Sequence, residues 1–321
     1  MNRRRLLETG GPILGLLAVL IVFGFLVGPY FFRGANLELI ARQTAIVATA
    51  ALGMTLVIVS GGIDLSVGSI VALCTVVIAL MLRADYAPAL AALGGIGAAA
   101  ACGAINGILI TSLRVIPFIV TLGMMILVRG AAKGLADERR IEAPGSWLND
   151  LLKTLDPGDR ILLPAGIWLV FALALIVAGI LRYTRFGRHI FSIGSNERTA
   201  RLCGVAVDRT KIAVYTLGAA LAGVAGVLQF SRLSVGDPTV AFGLELDVIA
   251  AVIIGGGSLL GGRGTVLGTL LGATTMAVIL IGCAQKGFPN WVQQIVTGVI
   301  IVLAVALDRW REGAVLRLQT P

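Results

Sequence analysis

Three carboxylates lie in or next to long apolar stretches of this 321-residue chain: Asp64, Glu245 and Asp247. A carboxylate in hydrocarbon costs roughly 2.5–3.5 kcal/mol on insertion scales, so it needs a partner, a water-filled path or a helix end to stabilise it. Carriers driven by protons or sodium usually hold several such groups for the coupling ion. Because this chain has so few, we expect it to receive its energy from another protein.

Asp64 lies in a glycine-punctuated stretch between two apolar runs, and Ser66 follows two residues later. One interpretation is a broken helix in which Asp64 and Ser66 line or gate a path across the membrane. The other is a helix N-cap, whose carboxylate accepts from backbone N–H groups near Val67. Glu245 and Asp247 also allow two interpretations, as favourable acids in a first helical turn or as contacts with a docking partner or substrate.

The residue sets of common catalytic sites are missing. The sequence holds no Gly-Lys-Ser or Gly-Lys-Thr of a phosphate-binding loop and no Gly-x-Ser-x-Gly of a hydrolase. His189 is the single histidine, and the cysteines lack metal-ligand or redox spacing; they are Cys74, Cys102, Cys203 and Cys283. The sequence therefore predicts no enzymatic activity, no metal and no cofactor on this chain.

The elements that carry these residues are predicted to be membrane helices. Hydrophobic residues make up 57% of the chain and charged residues 13%, against about 25% charged in soluble domains. Ten charge-free runs predict an all-α integral membrane protein of about ten transmembrane helices, some short or broken. The runs are Pro12–Phe32, Gln43–Ile63, Leu65–Leu82, Tyr86–Leu113, Val115–Val128, Ile161–Leu181, Ile212–Ser231, Val248–Gly262, Gly264–Gln285 and Gly287–Leu307. We expect Val115–Val128 and Val248–Gly262, the shortest, to recruit flanking charged residues or to be broken.

The basic residues predict the orientation. With both termini cytoplasmic and all ten runs crossing, fifteen of the 26 Lys and Arg but only six of the 17 Asp and Glu face inwards, so the whole net charge of +9 lies on one side. We expect one domain, 1–321, with a periplasmic loop at 130–160 and a cytoplasmic segment at 183–211. The charge then reports topology and contact with membrane lipid, and nucleic acid is not expected. The first run is too long for a signal-peptide core, so we expect it to remain as a helix.

Several polar and small residues within the runs predict contacts between helices. Asn106, in a run dense in Ala and Gly, is expected to hydrogen-bond across helices, and Pro117 lies in the short turn that follows. Gly256 and Ser258 lie in a glycine-rich turn similar to the stretch around Asp64, a hint of internal repetition. One further set predicts close packing of helices or a subunit interface; it consists of Gly264, Gly268 and Gly272.

The cytoplasmic segment contains a predicted short helix of about two turns. Ser195 or Asn196 is expected to cap it, and Gly204 to end it. The helix either docks into a cleft on another protein or lies on lipid headgroups. Glu197, Arg198 and Arg201 are then expected to face water, while Leu202 and Cys203 pack towards the membrane.

Four stretches carry a family resemblance. They are Gly53-Met-Thr-Leu-Val-Ile58 through Gly61-Gly-Ile-Asp-Leu-Ser-Val-Gly68; Asn106-Gly107 with Pro117-Phe-Ile-Val-Thr-Leu-Gly123; Asn196-Glu197 through Arg201-Leu202 and Gly204; and Leu244-Glu-Leu-Asp247 through Gly255-Gly-Gly-Ser-Leu259 and Gly261-Gly-Arg-Gly264. Over about residues 40–308 the chain resembles the permease subunits of ATP-binding-cassette (ABC) importers for ribose, galactose, xylose and other monosaccharides.

The resemblance implies a complex in the bacterial inner membrane, with two permease chains, identical or different, a cytoplasmic ATPase and a periplasmic sugar-binding protein. It implies that the short cytoplasmic helix couples to the ATPase, through Asn196, Glu197, Arg198, Ala200, Arg201, Leu202 and Gly204. The residues we assign to the translocation path or its gate are Asp64, Ser66, Asn106, Pro117, Glu245, Asp247, Gly256 and Ser258. The alternatives are an importer of branched-chain amino acids and, from another class, a channel or carrier independent of ATP.

Overall fold

A computed structural model describes residues 3–155 and 163–317, and most of them are helical. The helices are α1 (Arg3–Val27), α2 (Gly34–Val59), α3 (Val67–Arg83), α4 (Pro88–Leu113), α5 (Pro117–Leu135), α6 (Ala165–Tyr183), α7 (Arg185–Ser195), α8 (Glu197–Leu202), α9 (Val207–Leu233), α10 (Leu244–Ile254), α11 (Val266–Gln285) and α12 (Asn290–Arg317). Short 3-10 turns occur at Pro29–Phe32 and Trp147–Asp150, and two short strands, β1 (Ile141–Glu142) and β2 (Val235–Gly236), pair antiparallel.

Each of the ten charge-free runs overlaps one of these helices, in agreement with the predicted all-α membrane protein. In the described ranges, seven helices are long and apolar enough to cross a bilayer. The two runs singled out as short behave as predicted. Helix α5 takes in the flanking charged residues Arg129 and Lys133, whereas α10 stops after eleven residues. Eleven residues extend only ~16 Å, about half of the hydrocarbon core, so the eighth run is a broken helix.

Helix α2 lies at the centre of the bundle. Its residues from Ala45 to Val59 are all buried, and they pack against α9, α10 and α11. The approach of α2 to α9 is close enough to bring Gly53 against the backbone of Gly218, and α4 meets α9 in the same way at Gly103 and Gly107. Small residues allow such contacts in a membrane, where backbone proximity and van der Waals packing replace the hydrophobic effect.

The glycines at a four-residue pitch pack helices within this chain. A Cβ on Gly268 would overlap the carbonyl oxygen of Gly255, and one on Gly272 would overlap that of Ala251. Gly264, just before α11, faces the side chain of Val59. The packing interpretation is therefore confirmed, and this glycine face fits α11 against α10.

Gly272→Ala is expected to destabilise the folded permease by about 1–3 kcal/mol, because the added methyl group meets backbone that cannot rotate away. Thermal unfolding in detergent measures the effect as a lower Tm. Gly97→Ala on α4 is the control, since a Cβ there meets no atom within 4 Å. Equal Tm values for the two variants would contradict the α10–α11 contact.

The segment 234–243, here called the return segment, runs back along α3 after α9 ends. Gly236 lies against Ala79, the Asp237 N–H donates to Thr75 Oγ1 at 3.2 Å, and the Ala241 carbonyl contacts Gly68. These contacts follow α3 over eleven residues, or ~16 Å, towards its first turn. The return segment therefore places the start of α10 next to the start of α3.

Asp237 is the main anchor of the return segment. Its Oδ1 accepts from the Thr239 N–H at 2.8 Å and the Thr239 hydroxyl at 2.6 Å, and its Oδ2 accepts from Arg140 Nε at 2.8 Å. The hydrogen bonds from Thr239 and the ion pair with Arg140 compensate for the burial of the Asp237 carboxylate. Arg129 on α5 adds hydrogen bonds to the carbonyls of Pro238 and Val240 at 3.0 and 2.7 Å.

The loop after α5 is ordered by contacts with the same end of the bundle. Ser231 at the end of α9 accepts from the Leu152 N–H at 2.9 Å and donates to the Asn149 carbonyl at 3.1 Å. Glu38 near the start of α2 accepts from the Leu155 N–H at 3.0 Å. Residues that the charge distribution predicts to lie on the outer side of the membrane therefore meet at one end of the helix bundle. The rest of the predicted loop, 156–160, lies outside the described residues.

Candidate functional site

Helix α2 ends in a turn that requires glycine. Gly61 has φ +82°, and the Gly62 N–H donates to the Val57 carbonyl at 3.0 Å while the Gly61 N–H donates to that of Ile58 at 2.9 Å. This pairing closes a helix with a left-handed residue, which glycine adopts without strain. The turn releases the chain into the short non-helical stretch that carries Asp64.

Asp64, Ser66 and Asn106, here called the inner polar cluster, are buried and hydrogen-bonded to one another. Asp64 is 2% exposed, and its Oδ1 accepts from the Ser66 N–H at 2.9 Å and from the Ser66 hydroxyl at 2.5 Å. Asn106 Nδ2 on α4 donates to Ser66 Oγ at 3.0 Å. The predicted hydrogen bond of Asn106 across helices is therefore confirmed.

The N-cap interpretation of Asp64 is wrong in its geometry. Helix α3 begins at Val67 with Ser66 as its N-cap, and no side chain caps it. The Asp64 carboxylate lies two residues earlier and accepts from the Ser66 N–H. Aspartate commonly bonds the backbone two residues ahead, which forms a turn without belonging to the helix. Asp64 thus stabilises the broken stretch and links it to α4.

Two residues that lie next to this cluster were not predicted from the sequence as members of the site. Thr121, one turn after Pro117 starts α5, donates to the Ile63 carbonyl at 3.2 Å. The buried Tyr215 of α9 places its hydroxyl against the Cα of Gly62. Thr121 belongs to one of the four family-like stretches, but nothing in the apolar run around Tyr215 marked it as a contact of the break.

Glu245 brings the start of α10 next to the inner polar cluster. It is 8% exposed, and its Oε2 lies against Gly68, in the first turn of α3. That oxygen has no hydrogen-bond partner among the residues that the structure describes. Two helix N-termini, those of α3 and α10, meet at this carboxylate and favour its negative charge. Asp247 is half-buried two residues further on.

Gly256 and Ser258 lie at the other end of α10, so the eight assigned path residues do not form a single group. Gly256 is exposed with φ +89°, whereas Ser258 is buried and its Oγ accepts from the Leu260 N–H at 3.3 Å. The length of α10 separates them from Glu245 by ~16 Å. In the described ranges, no group of His, Cys, Asp and Glu side chains is arranged to hold a metal ion.

The short helix of the segment 183–211 has the predicted caps. Asn196 accepts from the Thr199 N–H at 2.9 Å and starts α8. Gly204, with φ +82°, ends it, and the Val205 N–H donates to the Ala200 carbonyl at 3.1 Å. Both ends of α8 are therefore set by local sequence.

Ion pairs hold α8 on the first turn of α9. Arg201 donates to both carboxylate oxygens of Asp208, at 2.7 and 3.1 Å, and Lys211 pairs with Glu197 at 2.7 Å. The hydrogen bonds that Arg201 donates to Asp208, together with the negative charges of Asp208 and Glu197, raise the pKa of the exposed Arg201. Two of the assigned coupling residues therefore position the helix.

The expected orientation of α8 is wrong for Leu202 and Cys203. Leu202 is 83% exposed and Cys203 is exposed, while Ala200 packs with Ile193 and Val207. The two ion pairs to α9 turn the small Ala200 inwards and leave the bulky Leu202 outside. Leu202 therefore lies on the surface of α8, where a partner protein or a lipid headgroup can contact it.

A cavity lies beside α8. It has a volume of about 460 Å³ and opens between α8, the start of α9 and the turn from α4 to α5. Arg114, in a left-handed conformation, and Pro117 line it on one side, and Glu197 and Arg201 on the other. Pro117 therefore lies between the inner polar cluster and α8.

Gly204→Ala is expected to loosen α8 without unfolding the bundle. A positive φ costs a residue with a Cβ about 1 kcal/mol, so amide hydrogen exchange of α8 should accelerate about fivefold. Gly204→Asn should have a smaller effect, because asparagine tolerates the left-handed region. Unchanged exchange in Gly204→Ala would contradict the role of Gly204 as the helix end.

Comparison with known proteins identifies the family. The family described as the permease component of a branched-chain amino acid transport system matches residues 36–305. The chain belongs to this permease family. The match includes the inner polar cluster, the return segment, α8 and α10. Membership and the apolar helices make the chain a multi-pass protein of the bacterial inner membrane.

Several members of the family that resemble this chain are named as sugar permeases. The ribose import permease RbsC of Escherichia coli K12 is 38% identical over 296 residues, which cover 92% of each chain. The fructose import permease FrcC of Rhizobium meliloti is 35% identical over 93% of this chain and 84% of its own. The L-arabinose ABC transporter permease AraH of Azospirillum brasilense is 33% identical over 96% and 90%, respectively. No solved structure matches the chain.

Proposed function

We propose that this chain is the membrane-spanning permease subunit of an ATP-driven importer of a monosaccharide. The observation that carries the proposal is α8, a capped helix that is pinned by ion pairs and leaves Leu202 83% exposed. A helix that is fixed in place in this way is preorganised for docking, and Leu202 adds an apolar side chain to the surface that it offers to another protein. The partner that fits is a cytoplasmic ATPase, which binds the ATP and Mg that this chain has no motif to bind.

The contacts at the two ends of the bundle support the proposed orientation. Residues predicted to face the cytoplasm meet at one end of the bundle, where α8, the turn at Arg114 and the glycine-rich loop around Gly262 lie. Residues predicted to face outwards meet at the other end, around Asp237 and Ser231. This division supports a single domain of ten helical crossings with cytoplasmic termini, in which α10 crosses only together with the return segment.

The remaining partners belong to the same proposal. The outer loop, with Trp147 exposed, faces the side from which a periplasmic sugar-binding protein approaches. A second permease chain, identical or different, completes the path. The inner polar cluster and Glu245 line the part of the path that the broken helices α3 and α10 form, and lipid covers the exposed outer helices.

The sugar class rests on the relatives, whose printed names are ribose, fructose and L-arabinose permeases. The family description favours branched-chain amino acids as the alternative. The test is uptake by cells that lack their own carriers and express this chain with the ATPase and binding protein encoded beside it. Ribose, galactose, xylose, fructose, arabinose and leucine are supplied in radiolabelled form. Accumulation of a monosaccharide is expected, and accumulation of leucine alone would reject the sugar assignment.

A further inference from the structure

Three backbone segments meet between α8 and the two helix breaks. They are the end of α2 at Val59–Gly61, the end of α7 at Gly194–Ser195, and the loop 261–264 after α10. The Gly262 N–H donates to the Val59 carbonyl at 2.9 Å, and the Cα of Gly194 lies against that same carbonyl. We call these segments together the glycine junction.

The contacts of the glycine junction exist because side chains are absent. A Cβ on Gly194 would overlap the Val59 carbonyl oxygen, and one on Gly261 would lie 2.9 Å from the Cα of both Gly61 and Gly194. Real Cβ atoms do not approach backbone that closely, so one methyl group would separate two segments. Interiors are packed densely enough for such a displacement to be transmitted to the neighbouring elements.

Each segment of the junction leads directly into a functional element. Gly194 lies two residues before Asn196, the N-cap of α8, and α7 and α8 share the small apolar cluster of Ile193 and Ala200. Gly61 lies three residues before Asp64. The loop after α10 is connected by that eleven-residue helix to Glu245. Rigid helices carry displacements over such distances.

We propose that the glycine junction is the contact through which movement of α7 and α8 reaches both broken helices, with Gly194 as its central positioning residue. When a partner displaces α8, the end of α7 moves the Val59 carbonyl and the 261–264 loop together. The Asp64 turn and α10 then move as one. This inference rests on the proposed ATP-driven import.

The test uses the complete complex of permease, ATPase and binding protein in proteoliposomes, with internal ATP. Gly194→Ala is compared with Gly179→Ala on α6, where a Cβ meets no atom within 4 Å. Sugar transported per ATP hydrolysed is expected to fall at least ~10-fold in Gly194→Ala, equivalent to a typical coupling free energy between sites. The amount of ATPase that co-purifies is expected to stay unchanged, a result that general misfolding would not give. A wild-type transport ratio in Gly194→Ala would overturn the proposal.

A second pair of variants decides the matter if Gly194→Ala fails to insert. A Cβ on Gly264 would lie 2.7 Å from Val59 Cγ2, a side-chain atom that can be removed. Gly264→Ala should lower the transport ratio, and adding Val59→Ala should restore at least half of it. A loss that Val59→Ala does not restore would reject the junction as its cause. If the wild-type complex itself shows no ATP-driven sugar uptake, the proposed function fails instead.

Discussion

Leu202→Asp is expected to abolish ATP-driven uptake while leaving the permease folded and inserted. Leu202 is 83% exposed on α8, and its side chain makes no part of the Ala200 cluster. Placing a carboxylate in an apolar pocket of a partner leaves a buried charge without a counter-ion, which costs several kcal/mol. The loss should therefore exceed ~100-fold in uptake, and co-purification of the ATPase should be lost with it.

The control for Leu202→Asp is Ala206→Asp. Ala206 is exposed four residues further on, at the N-cap of α9. An added carboxylate there brings the same charge to the same surface and suits a helix start. It should leave uptake within about twofold of wild type, which corresponds to about 0.4 kcal/mol in free energy. Normal uptake in Leu202→Asp would contradict docking through α8.

Asp64→Leu is expected to remove most of the folded permease, whereas Asp64→Asn should retain it. Leucine leaves the Ser66 N–H and hydroxyl without their acceptor in a site that is 2% exposed. A buried donor without a partner costs about 1–3 kcal/mol, so the pair costs roughly 2–6 kcal/mol, a large part of a typical stability. Asparagine keeps an oxygen at the position of Oδ1 and should cost about 1 kcal/mol.

The measurement for Asp64 is the monodisperse fraction after extraction in detergent, with Tm for the variants that survive. Asp85→Asn is the matched control, because Asp85 is exposed after α3 and asparagine tolerates its positive φ. An Asp64→Asn variant as damaged as Asp64→Leu would show that the charge itself is required. The role of Asp64 as a hydrogen-bond acceptor in a turn would then be wrong.

The sequence predicted those parts of the fold that depend on local chemistry. Run length and charge predicted the helices, and also that the two shortest runs recruit flanking charged residues or are broken, since a bilayer requires a minimum length. Asn196 and Gly204 predicted both ends of α8, because caps are formed within a few residues. Asn106 was predicted to bond across helices because an amide in an apolar run needs a partner.

Features that depend on distant residues escaped prediction. The exposure of Leu202 follows from ion pairs of α8 with Asp208 and Lys211, and no rule of local sequence orients a six-residue helix. The return segment depends on Arg129, Thr75 and Arg140, which lie about 100 residues or more earlier in the chain. The contact of Gly194 with α2 is a property of packing alone. The roles of the assigned coupling and path residues stay predictions.

The most direct measurement is sugar accumulation in liposomes that hold this chain alone or together with its ATPase and binding protein, each with and without internal ATP. Because the chain is proposed to have no ATP site of its own, we expect concentrative accumulation only when all three proteins and ATP are present. Concentrative accumulation by the chain alone would contradict this account and show a self-sufficient carrier.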